Sequence, residues 1–143
     1  MAGIVVGIDG SRHSERALEW AMKEAALRQV PLTVLTVYPL VRNILGHADA
    51  FPQDAERLES TRAAAQEATD KALAAMSGDR PQVTVEALSG LPAEVLVKAA
   101  ADADMIVVGS RGAGGFERLA MGSVGDQVAR HAHCPVVIIP QQK

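Results

Sequence analysis

Short apolar runs alternate along this chain with longer segments in which apolar residues recur every three or four positions. Residues 3–9 and 104–108 carry apolar side chains in succession, as the buried strands of a parallel sheet do. Residues 12–28 instead show helical spacing, with one apolar stripe directed inward. That predicted stripe consists of Leu18, Ala21, Met22 and Ala25.

This pattern predicts five strands and four helices in strict alternation. The predicted strands are residues 3–9, 31–38, 82–88, 104–108 and 135–140. The predicted helices are residues 12–28, 53–76, 92–101 and 123–131. Ser11 is the expected N-cap of the first helix. In the third predicted strand apolar and polar side chains alternate, which places this strand near a sheet edge. Residues 39–52 are predicted to form a loop long enough to act as a mobile lid.

Strict alternation of strands and helices predicts parallel strands joined by right-handed crossovers. We therefore expect a single domain over residues 1–143, with a three-layer α/β/α, doubly wound, Rossmann-like architecture. Strand order is not visible in the sequence, and we expect the common order 3-2-1-4-5. In that order the first and fourth strands are neighbours, which brings Asp9 beside Gly109 in the crevice where such folds bind nucleotides.

Composition narrows the classes of function. The net charge is −3 and the 14 Lys and Arg residues are scattered, so no basic surface for nucleic acid is expected. The single cysteine, Cys134, excludes an internal disulfide. The apolar runs are far shorter than the roughly 18 residues of a membrane span, and no leader is recognised. The expectation is a cytoplasmic protein with no membrane or nucleic-acid partner.

A glycine-rich segment, GSRGAGGFERLAMGS at residues 109–123, connects the fourth strand to the last helix. Its glycines at 109, 112, 114 and 115 allow the backbone to approach a ligand closely. A helix N-terminus that follows such a loop favours anions. The dinucleotide pattern GxGxxG and the P-loop pattern GxxxxGK[ST] are both absent, which disfavours nicotinamide cofactors and P-loop hydrolases.

The spacing Gly109-x2-Gly112-x9-Gly122-Ser123 resembles the nucleotide signature of the universal stress protein family, in its ATP-binding branch. Residues 5–11, 32–38, 105–115 and 122–140 are similar to blocks of that family, in the same order. The resemblance implies an ATP site, with Mg²⁺ as a further candidate. The implied ATP-binding residues are Gly7, Asp9, Val37, Gly109, Ser110, Arg111, Gly112, Gly115, Gly122, Ser123 and Val124.

Each implied role follows from the position in the family pattern. Asp9 would meet the ribose or a phosphate-bound Mg²⁺, and Val37 would contact adenine. The loop from Gly109 would wrap the ribose and phosphates, and Ser123, which is also the expected helix cap, would donate to phosphate. Position 125 departs from the family, which often has Ser or Thr where this chain has Gly125.

Several of these residues also have simpler explanations. Asp9 could cap the first helix alongside Ser11, and Arg111 could be a solvated loop side chain instead of a phosphate partner. His131, His133 and Cys134 suggest a metal or nucleophile cluster. Their place at the end of the last helix favours a structural function, since His complements a helix C-terminus.

The predicted pocket offers no clear base for activating water, so tight ATP binding with slow or negligible hydrolysis is expected. The function would then be nucleotide-dependent regulation or sensing in a stress response, exerted on a protein partner that the sequence does not identify. Two alternatives remain: a slow ATPase or adenylyl transferase, and a module that binds AMP or cyclic AMP. The apolar strand at 135–140 predicts a homodimer through paired edges, as the family resemblance also implies.

Overall fold

The computed structural model describes residues 3–39, 52–110 and 123–140. Its strands are β1 (Ile4–Ile8), β2 (Leu32–Pro39), β3 (Val83–Gly90), β4 (Met105–Gly109) and β5 (Val136–Ile139). Its helices are α1 (Arg12–Arg28), α2 (Pro52–Ala75), α3 (Pro92–Ala99) and α4 (Ser123–His131). The predicted alternation is confirmed, and the bounds of α1 and α4 are those that the sequence predicted. The predicted lid falls on residues outside those described, apart from its two ends.

The five strands form one sheet in the order β3-β2-β1-β4-β5, and each neighbouring pair is parallel. This confirms the expected doubly wound architecture. β1 is central, with Ile8 opposite Thr36 of β2 and Val6 opposite Val107 of β4. β3 and β5 lie at the two edges, as predicted for both.

Apolar side chains pack on both faces of the sheet, because the side chains of each strand point alternately to opposite sides. One buried cluster joins Ile4, Val6 and Ile8 of β1 to α1 and α2. The second joins Val5 of β1 to Leu35 and to helices α3 and α4. Helices therefore cover the sheet on both sides, and the inward stripe predicted for α1 is buried throughout.

The first turn of α1 begins where the sequence predicted. Ser11 has extended backbone angles and its hydroxyl accepts a hydrogen bond from the Ser14 N–H at 3.3 Å. This bond satisfies one of the N–H groups that a helix start leaves unpaired. The cap fixes the direction in which α1 leaves β1, and so positions the residues between them.

Candidate functional site

The carboxyl ends of β1 and β4 lie side by side in the centre of the sheet. β1 ends at Ile8, so Asp9 is its next residue, and β4 ends at Gly109, so Ser110 follows. The helix after β1 packs on one face of the sheet and the helix after β4 on the other. Such a point, where the chain leaves to opposite faces, forms the crevice in which open α/β sheets bind ligands.

Asp9 takes part in a hydrogen-bond network at the start of α1. Its Oδ1 accepts from the Ser11 N–H at 2.9 Å and from the Ser11 hydroxyl at 2.5 Å. Its own N–H donates to the hydroxyl of buried Ser14 at 3.2 Å, and that hydroxyl donates to the Ser11 carbonyl at 3.0 Å. The structure thus supports a capping function for Asp9, while its side chain remains exposed at the crevice.

Ser14 was missed by the sequence reasoning, although a signal for it exists. It occupies the third helical position after the N-cap, where a capping box places Glu or Gln. Its hydroxyl holds the backbone of Asp9 rather than that of the cap residue. Ser14 is therefore a positioning residue for Asp9.

Gly10, between Asp9 and the cap, has a φ of +84°, a left-handed conformation that favours glycine. Among the described residues, no atom lies within 4 Å of the position of a Cβ on Gly10. Asp9 and Gly10 are both exposed at the end of β1.

Gly7 and Val37 lie on the face of the sheet covered by α3 and α4. A Cβ on Gly7 would lie 2.9 Å from Cδ2 of Leu96, so the absence of a side chain there allows α3 to pack against β1. Val37 is partly buried, packs against the second cluster and stands opposite Leu88 of β3. Packing thus accounts for both residues before any ligand is considered.

The first turn of α4 packs against the end of β4. A Cβ on buried Gly125 would lie 3.4 Å from the Gly109 carbonyl oxygen, so helix and strand end are in close contact. Ser110 is buried and its N–H donates to the Ile139 carbonyl at 2.9 Å. The first turn of α4, whose N–H groups have no partner within the helix, is therefore held beside Gly109.

The remaining predicted site residues fall into two groups. Ser123 is exposed and is the first described residue of α4. Val124 is partly buried against the second cluster. Outside the described residues lie Arg111, Gly112, Gly115 and Gly122.

The histidines and the cysteine after α4 do not form one cluster. His131 is the last residue of α4 and is exposed, as is His133. Cys134 packs partly buried against the second cluster, and this burial raises the pKa of its thiol, although a backbone hydrogen bond from Ile106 acts in the opposite direction. Among the described residues, no three His, Cys, Asp or Glu side chains are grouped to hold a metal ion.

Within the described ranges, no helix combines the length and apolar character needed to cross a bilayer. The architecture and crevice place the chain among the doubly wound α/β proteins whose ligands bind beyond the carboxyl ends of their strands. Comparison with known proteins gives the particular family. The universal stress protein family model matches residues 2–140, and the chain belongs to that family.

A curated relative, universal stress protein Rv1996 of Mycobacterium tuberculosis, is 34% identical over 98% of this chain. The alignment covers 48% of that relative, so the chain spans about half the length of the curated relatives it matches.

Among solved structures, UspA from Lactobacillus plantarum is 28% identical, with a TM-score of 0.77 over 96% of this chain and 97% of its own. A universal stress protein in complex with cAMP is 28% identical, with a TM-score of 0.68 over 97% and 96% of the two chains. One from Archaeoglobus fulgidus in complex with dAMP is 27% identical, with a TM-score of 0.67 over 97% and 98%.

Proposed function

We propose that this chain is a cytoplasmic ATP-binding universal stress protein, a single nucleotide-binding domain that acts as a nucleotide-dependent regulator or sensor in stress response. The observation that carries the proposal is the junction of three chain segments at one point of the sheet. Asp9 and Gly10 follow β1, Gly109 ends β4 with Ser110 next in the chain, and the first turn of α4 packs against Gly109. This junction combines an exposed carboxylate, accessible backbone and a helix start.

The donor set suits an anionic ligand that also carries hydroxyl groups. The N–H groups of Ser123 and Val124 in the first turn of α4, and the Ser123 hydroxyl, would donate to phosphate oxygens, supported by the dipole of α4. Asp9 would accept from a ribose hydroxyl or bind a phosphate-associated Mg²⁺, and Val37 would contact adenine. The family pattern adds Gly7, Ser110, Arg111, Gly112, Gly115 and Gly122 to this proposal.

The proposal includes slow or negligible hydrolysis of ATP, because the described residues of the site offer no clear general base. Such a base must accept a proton from the attacking water in the transition state. Oδ1 of Asp9 accepts two hydrogen bonds from Ser11, which hold the carboxylate in place beside the start of α1. Asp9 is better suited to positioning than to proton transfer, so the protein would respond to bound ATP through conformation and partner binding.

Binding of AMP or cyclic AMP is the second candidate function. It is favoured by the two related structures that hold cAMP and dAMP. Gly125 supports the same alternative, because it provides no hydroxyl at a position in the first turn of α4. A monophosphate needs fewer donors than a triphosphate.

The edge strand β5 supports a homodimer as part of the proposal. Val136, Val137 and Ile138 are only partly buried, and among the described residues the strand pairs with β4 alone. Antiparallel pairing with β5 of a second copy would cover these side chains and satisfy the exposed backbone groups.

Mass analysis of the ligand released from denatured, freshly purified protein tests the proposal directly. We expect an adenine nucleotide in near-equal amount to protein. Calorimetry with ATP, AMP and cyclic AMP then ranks the affinities of these ligands, with GTP as the control.

ATP turnover is compared between the wild type and Asp9→Ala. Asp9-dependent hydrolysis well above background would make the protein an enzyme, and no heat with any purine nucleotide, Mg²⁺ included, would refute the proposal.

A further inference from the structure

A cavity separate from the crevice lies between α3 and α4, and Asp9, Ser110 and Ser123 are not among its lining residues. Its volume is about 430 Å³, within the range of roughly 300–1,000 Å³ typical of small-molecule sites. We call it the α3–α4 groove. Its size and its separation from the crevice make it a candidate site for a ligand other than the nucleotide.

The α3 side of the groove carries a row of small apolar side chains. Ala93 and Val97 of α3 line it four residues apart, which places them one above the other along the helix, and Ala101 continues the lining in the turn after α3. Ala93 and Val97 are about 6 Å apart along the axis at the helical rise of ~1.5 Å per residue. Such a row provides an apolar surface for an extended hydrocarbon segment.

One end of the groove collects nitrogen donors. Lys98 is the last but one residue of α3, His131 is the last residue of α4, and His133 follows shortly after. The two helices follow parallel strands on the same face of the sheet, so their C-terminal ends lie at the same edge. This end of the groove therefore carries one lysine and two imidazole donors, whose hydrogen bonds to an anion would have to outweigh the partial negative charge of the two helix C-termini.

These donors are not used within the described part of the protein. Over residues 3–39, 52–110 and 123–140, the side chains of Lys98, His131 and His133 form no hydrogen bond or ion pair. The neighbouring Arg130 differs, since it binds Asp126 at 3.2 Å. At the other end of the groove, Glu94 lies in the first turn of α3. The groove is thus polarised, with a negative charge opposite the donors.

We propose that the α3–α4 groove binds a small amphipathic monocarboxylate. Its hydrocarbon body would lie along Ala93, Val97 and Ala101, and its carboxylate would accept from Lys98, His131 and His133. Glu94 would repel a second carboxylate at the far end, so a dicarboxylate of the same length is rejected. The proposal is independent of nucleotide binding, because it uses none of the crevice residues.

Titration of the full chain with octanoate, followed by the amide signals of ¹⁵N-labelled protein, tests this proposal. We expect saturable shifts confined to α3, α4 and the segment through His133. Octanol, octylammonium and octanedioate are the matched probes, and each should bind at least about tenfold more weakly, the value of one charge-assisted hydrogen bond. Equal binding of octanoate and octylammonium, or shifts spread over the surface, would overturn the proposal.

Two variants locate the site. Lys98→Gln with His131→Gln should weaken octanoate binding at least about tenfold, whereas Lys71→Gln, an exposed lysine of α2, should not change it. Ala101→Trp, at an exposed position in the turn after α3, should fill the groove and abolish binding. Full octanoate affinity in either groove variant would overturn the proposal. ATP titration of the same samples reports the crevice separately, so failure at one site is distinguished from failure at the other.

Discussion

At the scale of single residues, Asp9 shows how one side chain joins helix formation to the proposed ligand site. Its carboxylate binds Ser11, the N-cap of α1, and its backbone is held by Ser14. Capping and ligand binding are therefore not exclusive explanations. The two functions can be separated by substitutions that preserve one and remove the other.

Asp9→Asn should retain the side-chain oxygen that accepts from Ser11 and lose the charge, whereas Asp9→Ala should lose both. We expect Asp9→Ala to lower the free energy of unfolding by about 1 kcal/mol, the usual contribution of a capping interaction, and Asp9→Asn to lower it less. Both variants should weaken Mg²⁺-dependent ATP binding in calorimetry, and removal of Mg²⁺ with chelator should reduce the difference from wild type. Wild-type affinity in Asp9→Asn would restrict Asp9 to capping.

Gly125 is the residue at which this chain departs from the family pattern, and the structure indicates that a side chain could be accommodated. A Cβ at this position would lie 3.4 Å from the Gly109 oxygen, which is an ordinary contact. Gly125→Ser should therefore fold, add a hydroxyl to the first turn of α4 and bind ATP more tightly by about 1 kcal/mol, the typical net value of a hydrogen bond. Gly125→Ala is the control for the added Cβ alone. Equal affinities of these two variants would show that the hydroxyl does not reach the ligand.

At the scale of elements, the seating of α3 on β1 depends on Gly7. Leu96 of α3 is buried, and its two methyl groups lie 2.9 and 3.1 Å from the position of a Cβ on Gly7. The helix and the strand are thus in contact through a residue that the family pattern assigns to the nucleotide. Packing alone is a sufficient reason for glycine at this position.

Gly7→Ala should lower the free energy of unfolding by about 1–3 kcal/mol, the usual cost of overpacking a core. Leu96→Ala should cost about 2–5 kcal/mol by itself. In the double variant the added methyl group occupies part of the space that Leu96 leaves, so the combined loss should be smaller than the sum of the two. Urea unfolding of the four proteins measures this coupling, and strictly additive losses would contradict the contact.

At the scale of the whole molecule, the sheet has two unequal edges. β3 alternates partly buried and exposed side chains, with Thr84 and Glu86 among the exposed ones, as suits a strand in contact with water. β5 has apolar side chains, three of them only partly buried. Association through the edge of β5 would remove more apolar surface from water than association through β3.

Val137→Lys should therefore convert the proposed dimer to monomer, because a charge would be buried between paired edges. Thr84→Lys places the same charge on the opposite edge strand and serves as the matched control, which should stay dimeric. Size-exclusion chromatography with light scattering gives the mass of each variant. A dimer that persists in Val137→Lys, or a monomeric wild type, would exclude this interface.

Local patterns were sufficient to predict the type and order of the described elements, since hydrophobic periodicity reflects which faces of a helix or strand are covered. Two further features also involve residues that are close together in the sequence. They are the helix cap at Ser11 and the spacing Gly109-x2-Gly112-x9-Gly122-Ser123. These features predict the class of fold and a ligand site at the carboxyl ends of β1 and β4. They could be recognised because each depends on residues close together in the chain.

Contacts between segments that are distant in the sequence could not be predicted from local patterns and are visible only in the folded structure. The hydrophobic periodicity of one strand does not specify which strand pairs with it. The order β3-β2-β1-β4-β5 was therefore an expectation from common folds, and the structure confirms it. Thr69, a polar residue, is fully buried, and its hydroxyl is satisfied there because it donates to the Ala65 carbonyl of its own helix. The contact of Gly7 with Leu96 and the α3–α4 groove arise from helices packed on one sheet, and packing partners are decided by three-dimensional fit rather than by sequence spacing.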